Sequence, residues 1–130
     1  MSYYISTHLH ESFDDAIPMV EQALSDQGFG VVTRIDMQET LKKKIGADFR
    51  PYTILGACNP KAAHEALQLE DKIGTMLPCN VIVQQVHNGL VEVAAIDPVA
   101  SMQAVENPDL HEAARDIREK LAAAMTSLGG

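Results

Sequence analysis

A chain of 130 residues, 46% apolar and 22% charged, is long enough for one domain over residues 1–130 that buries its own core, and these proportions exclude a disordered chain. Eighteen acidic against ten basic residues leave a net charge of −8, which repels phosphate backbones and anionic lipid, so neither nucleic acid nor membrane is expected as a partner. No apolar run approaches the roughly 20 residues of a membrane span, and Met1-Ser2-Tyr3-Tyr4 lacks the basic start of a leader, so the expected location is cytoplasmic.

Tyr3 to Leu9 is β-prone and of strand length. Beyond it Phe13, Ile17, Val20 and Leu24 recur at helical spacing and form one stripe. Ser12 with Asp15 three residues on resembles a capping box, and Gly28 is a natural stop. Pro18 leaves two readings open. Either the helix starts at Ser12 and bends at the proline, or it starts later with Asp15 as cap and Pro18 in its first turn. Phe29 to Met37 reads as a strand, with Phe29, Val31, Thr33, Ile35 and Met37 on one face by period two. A short helix over Gln38 to Ile45 ends at Gly46, and its Lys42-Lys43-Lys44 run reads as a solvated face.

Tyr52 to Cys58 is a third strand, in which Gly56 permits close backbone approach. Asn59-Pro60 then opens a helix, because asparagine caps it and proline in the first position loses no needed donor. Asp97-Pro98 and Asn107-Pro108 repeat that grammar. Between them, Val81 to Val86 and Val91 to Ile96 flank His87-Asn88-Gly89-Leu90, which predicts a two-residue type I′ hairpin pairing Val86 with Val91. Both faces of that hairpin come out substantially apolar, so something beyond one helical layer is expected to cover it. A final helix carries Leu110, Ala114, Ile117, Leu121, Ala124 and Leu128 on one stripe. The order of elements fits an α+β class better than a doubly wound sheet.

Chemistry-bearing residues are few. Cys58 ends one strand and Cys79 begins the next long one, so antiparallel pairing brings both thiols to the same end of the sheet. In a reducing cytosol they stay thiols, and two cysteines do not supply a structural zinc site, so no such metal is expected. His8 and His10 share a strand face but read as solvated, and His64 is a weak neighbour for Cys58. The Asp14-Asp15 and Glu70-Asp71 pairs read as helix-start acids. There is no phosphate loop, nucleophile elbow or His-Glu-x-x-His segment, so no catalytic motif is recognisable and no cofactor is indicated.

Taken together, Thr40-Leu41 with Lys44 and Gly46, Tyr52 through Cys58-Asn59-Pro60, and Ile73-Gly74 with Leu77-Pro78-Cys79-Asn80-Val81 resemble the domain-of-unknown-function 302 family over nearly the whole chain. The residues carried by that resemblance are Lys44, Cys58, Asn59, Pro60, Gly74, Leu77, Pro78 and Cys79. It implies a TBP-like α+β fold, with a curved antiparallel sheet carrying helices on one side, and dimers; it implies no activity. Two functional expectations result. One is a noncatalytic homodimeric binding module using a sheet face for a partner or small ligand. The alternative is a thiol-dependent redox or soft-metal protein using Cys58 and Cys79.

Overall fold

In a computed structural model, which describes residues 2–129, the ambiguity at Pro18 is resolved toward the early start. Helix α1 runs Phe13–Asp26, and the Ser12 hydroxyl accepts the Asp15 N–H at 3.2 Å, so Pro18 stands inside the helix. Ile17, Val20 and Leu24 are buried along the expected stripe. Met1 and Gly130, the ends of the expected domain, lie outside the described residues.

The strands are β1 (Tyr4–Leu9), β2 (Gly30–Asp36), β3 (Tyr52–Cys58), β4 (Cys79–His87) and β5 (Leu90–Ile96). They form one antiparallel sheet in the order β1-β5-β4-β3-β2. The remaining helices are α2 (Met37–Ile45), α3 (Pro60–Leu69), a 3₁₀ turn (Asp71–Met76), α4 (Pro98–Ser101) and α5 (Pro108–Gly129). All three residue-proline starts open a helix. Asn59 and Asp97 accept the N–H groups of Ala62 and Val99, and Asn107 accepts those of Asp109 and Leu110. Among the described residues no helix is long and apolar enough to cross a membrane.

The expected α+β class is observed: an open antiparallel sheet with its helices on one side. Val20 and Leu24 of α1 and Leu121 and Ala124 of α5 pack in one core with Leu55, Val81, Val83, Val91 and Val93. A smaller core, built on Ala66, Ile73, Met102, Leu110 and Ala114, joins α3, the 3₁₀ turn and the start of α5.

Two β-bulges correct the sequence reading. In β2 the register shifts between Val31 and Thr33, so Val31 faces the covered side opposite Ala57 while Thr33 and Ile35 face away, opposite Gly56 and Ile54. The uniform period-two face from Phe29 to Met37 does not exist, and Met37 is already the first residue of α2. In β4 the shift falls between Gln85 and His87. Val83 therefore pairs with Val93 rather than with Ala94, and Gln85 with Val91. The turn is not type I′ either. That type needs positive φ at both central residues, whereas only Gly89 has it, at 75°. The extra residue, Val86, takes up the mismatch between turn and strand twist. This sorts the hairpin: Val81, Val83, Val91, Val93 and Ala95 all become fully buried on the covered face. The other face keeps Ile82, Ala94 and Ile96 among Gln84 and Glu92, less apolar than the two-residue register implied.

Candidate functional site

Antiparallel pairing of β3 with β4 sets Ala57 opposite Cys79 and leaves Cys58 one residue further on, so both cysteines stand at the same end of the sheet. Alternation gives Cys79 the covered face and Cys58 the other. At Cys58, however, β3 ends and the chain turns into α3, and both cysteines border one apolar cavity of about 50 Å³. Asn59, Leu77 and Pro78 line the same cavity, so the Cys-Asn-Pro and Leu-Pro-Cys segments, distant in sequence, meet there. The Leu77–Pro78 peptide is cis. Pro60 opens α3 beside the cavity.

Burial pushes the Cys79 thiol up to about 11, and the nearby Cys58 adds to the effect. A desolvated thiolate is disfavoured, and a second negative group close by disfavours it further. Cys79 is therefore a neutral thiol at pH 7. Both cysteines are free.

Two of the sequence-derived residues lie apart from this cavity. Lys44 is exposed in the last turn of α2, and Gly74 is exposed in the 3₁₀ turn, where a Cβ would stand 3.9 Å from Leu67 Cδ2. The histidines stay outside it too: His64 contacts Gln68 at 3.2 Å, His8 approaches Glu92 at 3.8 Å, and His10 lies beyond the end of β1. Among the described residues no three His, Cys, Asp or Glu groups cluster as metal ligands.

Sequence reasoning missed the small-residue walls of the cavity. Ala62, Ala63 and Ala66 line it from α3, Ala113 and Ala114 from α5, and Met102 adds a third sulfur. The spacing of 62, 63 and 66 places those alanines on one helix face, a signal that was readable. Gly56 was read as a close-approach position, and it is one. A Cβ there would collide with the Thr33 hydroxyl and come within 2.7 Å of Pro78 Cγ.

A second candidate surface is the helix-free face of the sheet. Successive registers align Ile35, Ile54, Ile82, Ala94 and Ser6 in one row across all five strands. The adjacent row runs Tyr52, Gln84, Glu92 and His8. Arg50 donates to Gln84 at 2.8 Å, and Gln84 donates to Glu92 at 2.7 Å, so the polar row is internally bonded. The Arg50 guanidinium also lies 4.4 Å from the centre of the Phe49 ring. Tyr3, Tyr4 and Tyr52 border a concavity of about 370 Å³ on this face.

The model of DUF302, a domain of unknown function, matches residues 5–128. A crystal structure of a conserved DUF302 protein from Bacillus stearothermophilus shares 30% sequence identity over 98% of this chain and 99% of that one, with a TM-score of 0.90. No curated protein matches the chain. The chain belongs to the DUF302 family.

Proposed function

We propose that this DUF302 member acts as one domain over residues 1–130, a noncatalytic binding module whose helix-free sheet face takes a second copy of itself. One row of side chains carries this reading: Ile35, Ile54, Ile82 and Ala94, aligned across four strands with no helix over them. Ile35 remains 44% exposed and Tyr4, on the same face, 44%. An apolar row that no helix covers, half-buried at Ile54, Ile82 and Ala94 and exposed at Ile35, is the kind of patch that marks an interface. Tyrosines at its border suit one, because each offers apolar area with a polar tip. The bonded Arg50, Gln84 and Glu92 group supplies a polar flank that sets orientation.

Sedimentation over a wide dilution range tests this. The wild-type chain is expected to dissociate reversibly, and Ile54→Asp to be monomeric at every concentration. A folded wild-type chain that stays monomeric throughout overturns self-association, and the concavity beside the row then points to a small ligand. Nucleic acid is not a partner in this reading, given the charge of −8, and a labelled duplex shifted at physiological salt would contradict it.

A second reading, a thiol-dependent role, is favoured by the meeting of Cys58-Asn59-Pro60 and Leu77-Pro78-Cys79 around one apolar cavity.

A further inference from the structure

We propose that Cys58 and Cys79 together hold one Cu(I) ion as a two-thiolate site at the end of β3 and β4. This deepens the thiol reading and is independent of the sheet-face reading.

The donor set points to a soft ion of low coordination number. Two thiols border the same cavity, and its remaining polar contribution is small; Met102 in the lining offers thioether sulfur, also a soft donor. Zinc and harder cations ask for three or four nitrogen, sulfur or oxygen ligands, and among the described residues no such cluster of His, Cys, Asp or Glu exists. Cu(I), a soft ion, takes thiolates and tolerates two of them.

The shared cavity gives an ion a place beside both sulfurs. Cys58 follows Ala57, the partner of Cys79, and where β3 ends and the chain turns into α3 both cysteines border the one cavity. Both thiols are free, and an ion held between them needs two metal–sulfur bonds of roughly 2.3 Å each.

Binding is a ligand exchange. Two thiols lose their protons to solvent, two sulfur–copper bonds form, and neither copper nor sulfur changes oxidation state. The product carries one net negative charge. It forms beside the N-terminus of α3, a ten-residue helix whose Asn59 and Ala62 line the cavity, and the positive end of the helix dipole opposes that charge.

Anaerobic titration with Cu(I), presented as its bicinchoninate complex, tests the assignment on the whole chain. The expected result is one Cu(I) per chain by native mass spectrometry, with both thiols protected together from alkylation. Cys58→Ser and Cys79→Ala should each weaken uptake by about 100-fold or more, at or beyond what loss of a supporting residue around a metal costs. If Cys79→Ala fails to fold, Cys58→Ser at the partly exposed position decides alone. Uptake unchanged in Cys58→Ser, free alkylation of either thiol in the copper-loaded chain, or Zn(II) bound as tightly as Cu(I) each overturns the proposal. Ile54→Asp separates this site from self-association. It should bind copper like the wild type, and loss of copper in that variant would move the site to a contact between copies and refute the assignment to one chain.

Discussion

Leu55 and Ile54 are neighbours on β3, yet they belong to two different environments. Leu55 is fully buried among the residues under α1 and α5, whereas Ile54 lies in the row that no helix covers. The covered face is largely apolar: Val81, Val83, Val91, Val93 and Ala95 are fully buried there, and Thr53, opposite Val83, is a buried hydroxyl among them. The helix-free face mixes an apolar row with a hydrogen-bonded polar one, and at the cysteine end it is closed off by Thr33 and Pro78 over Gly56. One face thus carries the packing that stabilises the chain, and the other leaves apolar area that no helix covers.

The sharpest way to break this contrast is to truncate both neighbours. Leu55→Ala should cost about 2–5 kcal/mol, because it removes packing and leaves a cavity in a close-packed core. Urea unfolding measures it, and a loss below 1 kcal/mol would show that the covered face is loosely packed.

The cysteine end should declare itself through pH. Cys79 is raised from 9.0 to about 11 in the folded chain, so the folded state holds this proton more tightly than the unfolded one. Its contribution is complete below about pH 9 and declines as pH climbs to about 11, a loss of roughly 2–3 kcal/mol at the top of that window. Lysines and tyrosines titrate in the same range, so the comparison is with Cys79→Ala, whose stability should fall less steeply between pH 9 and 11. Parallel curves would contradict the burial of this thiol.

Gly56→Ala probes the closed end of the helix-free face. A Cβ there meets Thr33 and Pro78, and forcing them apart should cost about 1–3 kcal/mol. Thr33→Ala in the same chain should restore part of the loss; no restoration would place the strain elsewhere.

The smallest stability effect is expected at Ile54→Ala. In the dilute monomer it should cost less than about 1 kcal/mol, since little of the surrounding packing depends on it. Its visible effect should be weaker self-association by sedimentation. A core-sized loss of stability would erase the distinction between the two faces.

Much of the chain was legible locally. Asn59, Asp97 and Asn107 cap where they were expected to, and of the two candidates for α1 it is Ser12 that caps, because a cap needs only a short side chain and the N–H groups two or three residues ahead. The stripes of α1 and α5 were readable for the same reason, apart from Met125, which is also buried. The convergence of Cys58 and Cys79 followed from antiparallel pairing. The cavity they share was not readable, since it depends on how α3 and α5 approach the sheet end and on alanines whose small size leaves the space.

The sequence by itself determined most of the elements, the caps at Asn59, Asp97 and Asn107, and the α+β class, because these arise from spacing and backbone chemistry within a few residues. Only the tertiary structure decided the bulges beside Thr33 and His87, and with them which side chains face the helices and which face outward. A bulge adds one residue to one strand, so it reverses the face of the residues beyond it without changing their composition or spacing. Its position is chosen by the twist and packing of the whole sheet, which no local pattern contains.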